Sequence, residues 1–188
     1  MGSVVIVSGP PASGKTTLCR ALAAGCPNGV HLDSDRFYDF IPHRVDPTSG
    51  ESHHQNTIII RAVASAALAY AKGGYTVFLD GVIGPWFLPE FRPVLESEVP
   101  TQYVVLKVSA ARARARARER QGPGMSPTVD AMQPKFLDLG AFEQHAVDAE
   151  ERGKGEIEAE VSAGIESGAF ALDWTRVGTE GGPQGAVA

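Results

Sequence analysis

The stretch Gly9-Pro10-Pro11-Ala12-Ser13-Gly14-Lys15-Thr16-Thr17 constrains this chain more than any other. Gly9, Gly14, Lys15 and Thr16 take the fixed positions of the pattern G-x-x-x-x-G-K-[ST], in which a tight loop wraps a phosphate group. The residue types follow from that task. Glycine lets the backbone curl until successive N–H groups converge on one cluster of phosphate oxygens. A lysine here brings its ammonium to the outer phosphates, and the following hydroxyl is a hard oxygen ligand for Mg²⁺. Upstream, Val4-Val5-Ile6-Val7 is an apolar, β-branched run, and downstream Thr17 to Ala24 reads as a helix. The helix N-terminus adds positive partial charge where the anion would sit. Strand, loop and helix in that order is the context the pattern requires, and an accidental Gly-rich turn would lack it. All nine residues from Gly9 to Thr17 are therefore expected to bind nucleotide.

The rest of the chain alternates strand and helix signals. The first helix ends near Gly25, and Pro27-Asn28-Gly29 breaks it. Val30-His31-Leu32 reads as a second strand leading into Asp33-Ser34-Asp35. A polar connection through Pro42 and Pro47 gives way at Glu51 or Ser52 to a long helix ending near Lys72. Its expected buried stripe is Ile58, Ile59, Val63, Ala66, Ala67 and Tyr70. Tyr75 to Leu79 is a third strand running into Asp80-Gly81, Gly84 to Pro89 a loop, and Glu90 to Ser97 a short helix. Tyr103 to Val108 is a fourth strand and His145 to Asp148 a short last one. Between them lie an Ala/Arg helix from Ala110 to Arg120, a Gly/Pro loop from Gln121 to Pro127 and a helix from Val129 to Leu139. Ile157 to Ile165 forms the final helix, and the Gly-rich tail 178–188 is expected to be disordered. Alternation of this kind predicts an open α/β sheet with helices on both faces, in one domain over residues 1–177.

Composition narrows the function classes. The 188 residues suffice for a proper core, and a net charge of -5 gives no reason to expect nucleic-acid or membrane partners. Cys19 and Cys26 make no disulfide framework and no apolar run is long enough to cross a bilayer, so a cytoplasmic location is expected.

In an open α/β sheet, ligands bind beyond the carboxyl ends of the strands. The second strand delivers Asp33 and Asp35 there, the third Asp80, and the fourth the arginine helix. Asp35 is the candidate base that takes a proton from a reacting hydroxyl, with Asp33 as the alternative or as a substrate contact. Either residue could instead cap the helix that begins near Arg36. Asp80 is a candidate for metal and substrate binding, with a plain turn before Gly81 as the alternative. At helical spacing Arg112, Arg116 and Arg120 share one stripe, and Arg114 and Arg118 another. Arg118 and Arg120 are taken as the catalytic lid arginines, with Gly122-Pro123-Gly124 as a hinge at the end of a lid spanning about residues 110–128. His53, His54 and Trp86 are candidate acceptor contacts; an exposed first turn and a core aromatic are their bland alternatives.

The loop Gly9–Thr17, Asp33-Ser34-Asp35 after the second strand, and the arginine-rich helix together resemble the small-molecule P-loop kinases. Within that group the sequence is most similar to the chloramphenicol phosphotransferase-like proteins; shikimate, gluconate and adenylylsulfate kinases are more distant. The resemblance extends to about Asp148. It implies a three-layer fold on a five-stranded parallel sheet, Mg²⁺ and ATP as cofactors, Asp35 as base and Arg118-Glu119-Arg120 as a lid segment. It also implies transfer of the γ-phosphoryl group to a hydroxyl of a small metabolite or antibiotic, with Thr16 and Asp80 holding the metal. Residues 51–56 and 80–86 have no counterpart in the family pattern and are expected to shape the acceptor pocket. Two other readings remain at this point: a nucleotide-binding resistance or regulatory protein that sequesters its ligand, and a nucleic-acid-end kinase using the arginine helix.

Overall fold

A computed structural model describes residues 1–121 and 126–177; the expected hinge 122–124 and the tail 178–188 lie outside the described residues. Strand β1 (Ser3–Ser8) is the middle of the sheet, and its Val4, Val5, Ile6 and Val7 are fully buried. Successive side chains on a strand point to opposite faces. Val4 and Ile6 accordingly join one apolar cluster, and Val5 and Val7 another. A strand covered on both faces needs an unbroken apolar run, which is what residues 4–7 supply.

Around it stand β2 (Gly29–Asp33), β3 (Thr76–Asp80), β4 (Thr101–Lys107) and β5 (Ala146–Asp148). The described residues form a five-stranded sheet in the order β2-β3-β1-β4-β5, with every pairing parallel. The chain leaves β1 towards β2 on one side, then crosses from β3 over β1 to β4 on the other. That change of direction opens a crevice at the carboxyl ends of the strands. The register sets Asp80 beside Val7 on one side and beside Asp33 on the other. Two carboxylates and the exit of β1 therefore reach the same edge.

Helices cover both faces. α1 (Lys15–Gly25), α5 (Ala110–Gln121) and α7 (Lys154–Ser167) place Leu18, Leu22, Ala113, Ala117, Ile157 and Val161 in the cluster beneath Val5 and Val7. α3 (His53–Lys72) places Ile59, Ile60, Val63 and Ala67 against Val4 and Ile6. Among the described residues no helix is long and apolar enough to cross a membrane.

Four local expectations change. The buried stripe of α3 is rotated: Ile59, Val63 and Ala67 are buried, but with Ile60, Ala64 and Ala71. Ile58 and Tyr70 are exposed, and Tyr70 makes an edge-on ring contact with Tyr75. The expected loop 84–89 is a 3₁₀ turn over Pro85–Phe91, and the next helix shortens to α4 (Arg92–Leu95), whose Pro93 sits in the first turn where its missing N–H is tolerated. The helix expected from Val129 to Leu139 is instead α6 (Ser126–Met132) followed by a 3₁₀ turn over Gln133–Phe136, where Pro134 cannot donate to the helical ladder. β2 stops at Asp33 and α2 (Asp35–Tyr38) follows, so Asp33 and Asp35 do not share a strand face.

Because Ile6 is enclosed on the inner strand, truncation leaves a void that neighbours on two sides cannot close. Ile6→Ala should cost about 2–5 kcal/mol of unfolding free energy. Denaturant melts checking this would contradict the central placement of β1 if the midpoint were unchanged.

Candidate functional site

Loop residues 9–14 leave β1 and enter α1 through left-handed backbone. Gly9 has φ +138° and Gly14, the N-cap of α1, has φ +111°. At Gly9 a Cβ would also stand 2.5 Å from the Leu106 carbonyl oxygen, so both conformation and space demand glycine. Ala12 adopts φ +62° without being glycine, a conformation uncommon for a side chain with a Cβ. Within this curl the Lys15 ammonium donates to the carbonyls of Gly9 (3.0 Å) and Pro10 (2.9 Å). Lys15 is almost fully buried. Burial pulls its pKa down, and the carboxylates of Asp35 and Asp80 push it back up.

The three acids from the strand ends have three different environments. Asp33 accepts a hydrogen bond from the backbone N–H of Asp35 (3.1 Å) and lies 3.7 Å from Arg36, so its side chain ties the turn that leads into the short α2, whose N-cap is Ser34. Asp35 opens onto the cleft. The surrounding protein pushes its carboxyl pKa up, Lys15 lowers it, and Asp33 and Asp80 raise it again. Asp80 is 2% exposed, and its Oδ2 is buried with no hydrogen-bond partner. Its Oδ1 lies 3.5 Å from His31 Nε2. A turn-forming aspartate would spend its carboxylate on nearby backbone N–H groups, and Asp80 has an oxygen left over.

On the arginine helix, the structure brings Arg116 to the loop. Its guanidinium donates to the carbonyls of Ser13 (3.1 Å) and Ala149 (3.2 Å). Arg114 pairs with Asp130 at 2.6 Å. Arg118 is exposed, and the Arg120 side chain lies outside the described residues. Ala113 and Ala117 are buried, which fixes the rotation of α5 and sends Arg116 towards Ser13.

Lys15, Asp35 and Asp80 share a cleft of about 530 Å³, which Asp33 and Arg116 do not line. Lys15, Thr16, Asp35 and Asp80 line one end, and Tyr38, Arg44, Asn56, Ile60, Phe87 and Met132 line the other. A polar clasp shapes the second end. Tyr38 donates to Asn56 Oδ1 (3.0 Å), while Asn56 Nδ2 donates to the Pro47 carbonyl (2.9 Å) and to Ser52 Oγ (3.0 Å). Gln55 closes a two-way bond on the backbone of Val45, at 2.8 and 2.9 Å. Burial and the nearby Asp35 push the Tyr38 hydroxyl up to about 12, so it stays a donor at neutral pH.

His53 and His54 do not reach the cleft; both are exposed at the start of α3. Asn56, one turn on, occupies the buried face that they miss. Trp86 packs instead on Phe87 and Phe136, with the Lys135 ammonium 5.9 Å from its ring centre. Tyr38 and Arg44 have no counterpart in the sequence analysis, whereas Asn56 falls in the segment 51–56 expected to shape the acceptor pocket and Arg116 on the stripe with Arg112 and Arg120. A signal existed for Tyr38, three residues after Asp35 and so one helical turn away. None existed for Arg44, since loop paths are not periodic.

A nucleotide-type loop on a parallel sheet of this order defines the P-loop kinase fold. The AAA domain family model matches residues 4–136, and the chain belongs to that family. Solved structures share the fold. A gluconokinase from Sinorhizobium meliloti 1021 superposes with a TM-score of 0.68 at 19% identity, covering 89% of this chain and 93% of that one. The Mycobacterium tuberculosis APS kinase CysC in complex with AMPPNP and APS gives 0.65 at 16%, covering 88% and 98%. The Deinococcus radiodurans tunicamycin resistance protein gives 0.64 at 14%, covering 88% and 96%. Comparison with curated protein sequences returns no match.

Gly9→Ala combines a strained φ with a backbone clash, so it should deform the loop locally. The expected outcome is loss of most nucleotide affinity by calorimetry; wild-type affinity in a folded variant would refute the geometric requirement.

Proposed function

We propose that this chain transfers the γ-phosphoryl group of ATP to a hydroxyl of a small molecule, a metabolite or an antibiotic. One observation carries the reading: the Lys15 ammonium, the Asp35 carboxylate and the buried, half-unpartnered Asp80 carboxylate line one cleft of about 530 Å³ beside a phosphate-type loop. That volume, shared between phosphates and acceptor, is in the range of small-molecule sites. Support also comes from the fold shared with a gluconokinase and with an APS kinase held with AMPPNP. The tunicamycin resistance protein, and the sequence resemblance to the chloramphenicol phosphotransferase-like proteins, keep antibiotics among the acceptors to test.

In this mechanism the loop amides and Lys15 bind and neutralise the phosphates, so that charge developing on the transferred group meets donors already in place. Arg116 holds the loop at the Ser13 carbonyl, and the wall of Ala113 and Ala117 keeps it there. Asp35 accepts the proton of the acceptor hydroxyl as the oxygen attacks in line. Asp33 orients Asp35 by fixing the first turn of α2. Magnesium fits these residues: Asp80 Oδ2 is a buried oxygen donor without a partner, and the Thr16 hydroxyl lies in the same cleft. Bound there, the ion would supply charge neutralisation between the phosphates.

The pH dependence follows from Asp35. A base works as the carboxylate, so activity falls as pH drops through its pKa. Partial desolvation at the cleft wall moves that pKa upward despite Lys15, so the acidic limb should lie at higher pH than that of an ordinary aspartate. Asp35→Asn should slow transfer by about 10²–10⁴-fold and abolish the limb while ATP still binds. An unchanged limb in that variant would move the base elsewhere. Lys15→Ala should remove at least about 10²-fold of turnover. The deciding assay is a hydroxyl-compound library with labelled ATP, read as a mass gain of one phosphate. ATP binding with no phosphorylated product from any member would favour a sequestering protein instead.

A further inference from the structure

We infer that His31 is a positioning residue, whose Nε2–H holds one oxygen of the Asp80 carboxylate and leaves the other for the metal ion. The inference rests on the proposed magnesium site at Asp80 and adds the side chain that orients it. His31 stands on β2 opposite Phe78 of β3, and Asp33 stands opposite Asp80. Paired residues on parallel strands share a face, and so does the next residue but one along each strand. His31 and Asp80 therefore rise from the same face, diagonal to each other. Phe78, between them in register, marks that face as the one packed with Leu18 and Leu22 of α1.

Each of the two side chains keeps an unspent buried atom. His31 Nε2 has no hydrogen-bond partner, and neither has Asp80 Oδ2. The ring nitrogen lies 3.5 Å from Asp80 Oδ1, just longer than a good hydrogen bond. That approach assigns the tautomer. A lone pair on Nε2 would set two acceptors against each other out of reach of water, whereas a proton there gives Oδ1 a donor. A slight turn of either side chain closes the gap, and leaving two buried polar groups unpaired is the costlier arrangement.

Neighbouring donors do not take this task. The Lys15 ammonium donates to the carbonyls of Gly9 and Pro10, and the Ser34 N–H meets the main-chain carbonyl of Asp80, not its carboxylate. A structural role alone explains His31 poorly. Its place on an edge strand, between Val30 and Leu32, would suit a β-branched residue with no nitrogen to bury. Carboxylates that hold metal ions are themselves held by hydrogen bonds, which fix the oxygen presented to the ion. With Oδ1 occupied by His31, the oxygen presented at the cleft is Oδ2.

The test measures the affinity of the full chain for AMPPNP by calorimetry, once in EDTA and once in saturating magnesium. The ratio of the two Kd values reads what the ion contributes. His31→Leu should lower that ratio about tenfold and leave the affinity in EDTA unchanged. His31→Gln keeps an N–H at similar reach and should keep the ratio. His31→Val, a residue at home in a strand, replaces the leucine variant if that one does not fold. Added to Asp80→Asn, His31→Leu should change the ratio no further, because it acts through the carboxylate already lost. An unchanged ratio in the folded apolar variant overturns the inference. So does an equal loss in His31→Gln, or a further loss on the Asp80→Asn background; the magnesium site stands in all three cases. A wild-type ratio of one overturns the magnesium site and the inference together.

Discussion

A buried ammonium is tolerable only when its protons are spoken for, and Lys15 meets that condition through the carbonyls of Gly9 and Pro10. Those carbonyls face inward because Gly9 turns the backbone into a region that a side chain would forbid. The turn in its turn needs a rigid base, which β1 provides by being enclosed on both faces. Loop, lysine and central strand are thus one mechanical unit. The carboxylates of Asp35 and Asp80 complete it electrostatically by offsetting part of what burial costs the ammonium.

Around that unit the sheet order creates chemical asymmetry from one residue type. Asp33 and Asp80 are register partners on neighbouring strands, yet one is tied to a helix start and the other is sealed in with a free oxygen. Asp35, past the strand end, faces the cleft. Three aspartates reach three environments because the backbone changes direction between residues 33 and 35.

The segment between α2 and α3 carries what individuality the cleft has. Residues 45–49 form no regular element of their own and are fixed by the side chains of Ser52, the N-cap of α3, and of Gln55 and Asn56 in its first turn. Tyr38 joins that clasp from α2, so both walls of the acceptor end are tied to one helix. A change in this short stretch would reshape the acceptor end without touching the phosphate loop.

The sequence alone was enough for the central strand, the loop, the alternation of strand and helix, and the strand ends that carry Asp33 and Asp80. Each is a local property: an apolar run, a glycine spacing, a β-rich run ending in an acid. Rotation and contact were not local. Ile58 and Tyr70 look as apolar as Ile59 and Val63, and only the sheet beneath α3 decided which face was buried. Helical spacing divides the five arginines into two stripes, but only the packing of Ala113 and Ala117 singles out Arg116 for the loop. His53, His54 and Trp86 have suitable chemistry but sit on the wrong face or in the core, whereas Tyr38 and Asn56 reach the cleft by a hydrogen bond across 18 residues. Periodicity specifies what a segment becomes; which side of it meets the ligand depends on distant parts of the chain closing around it.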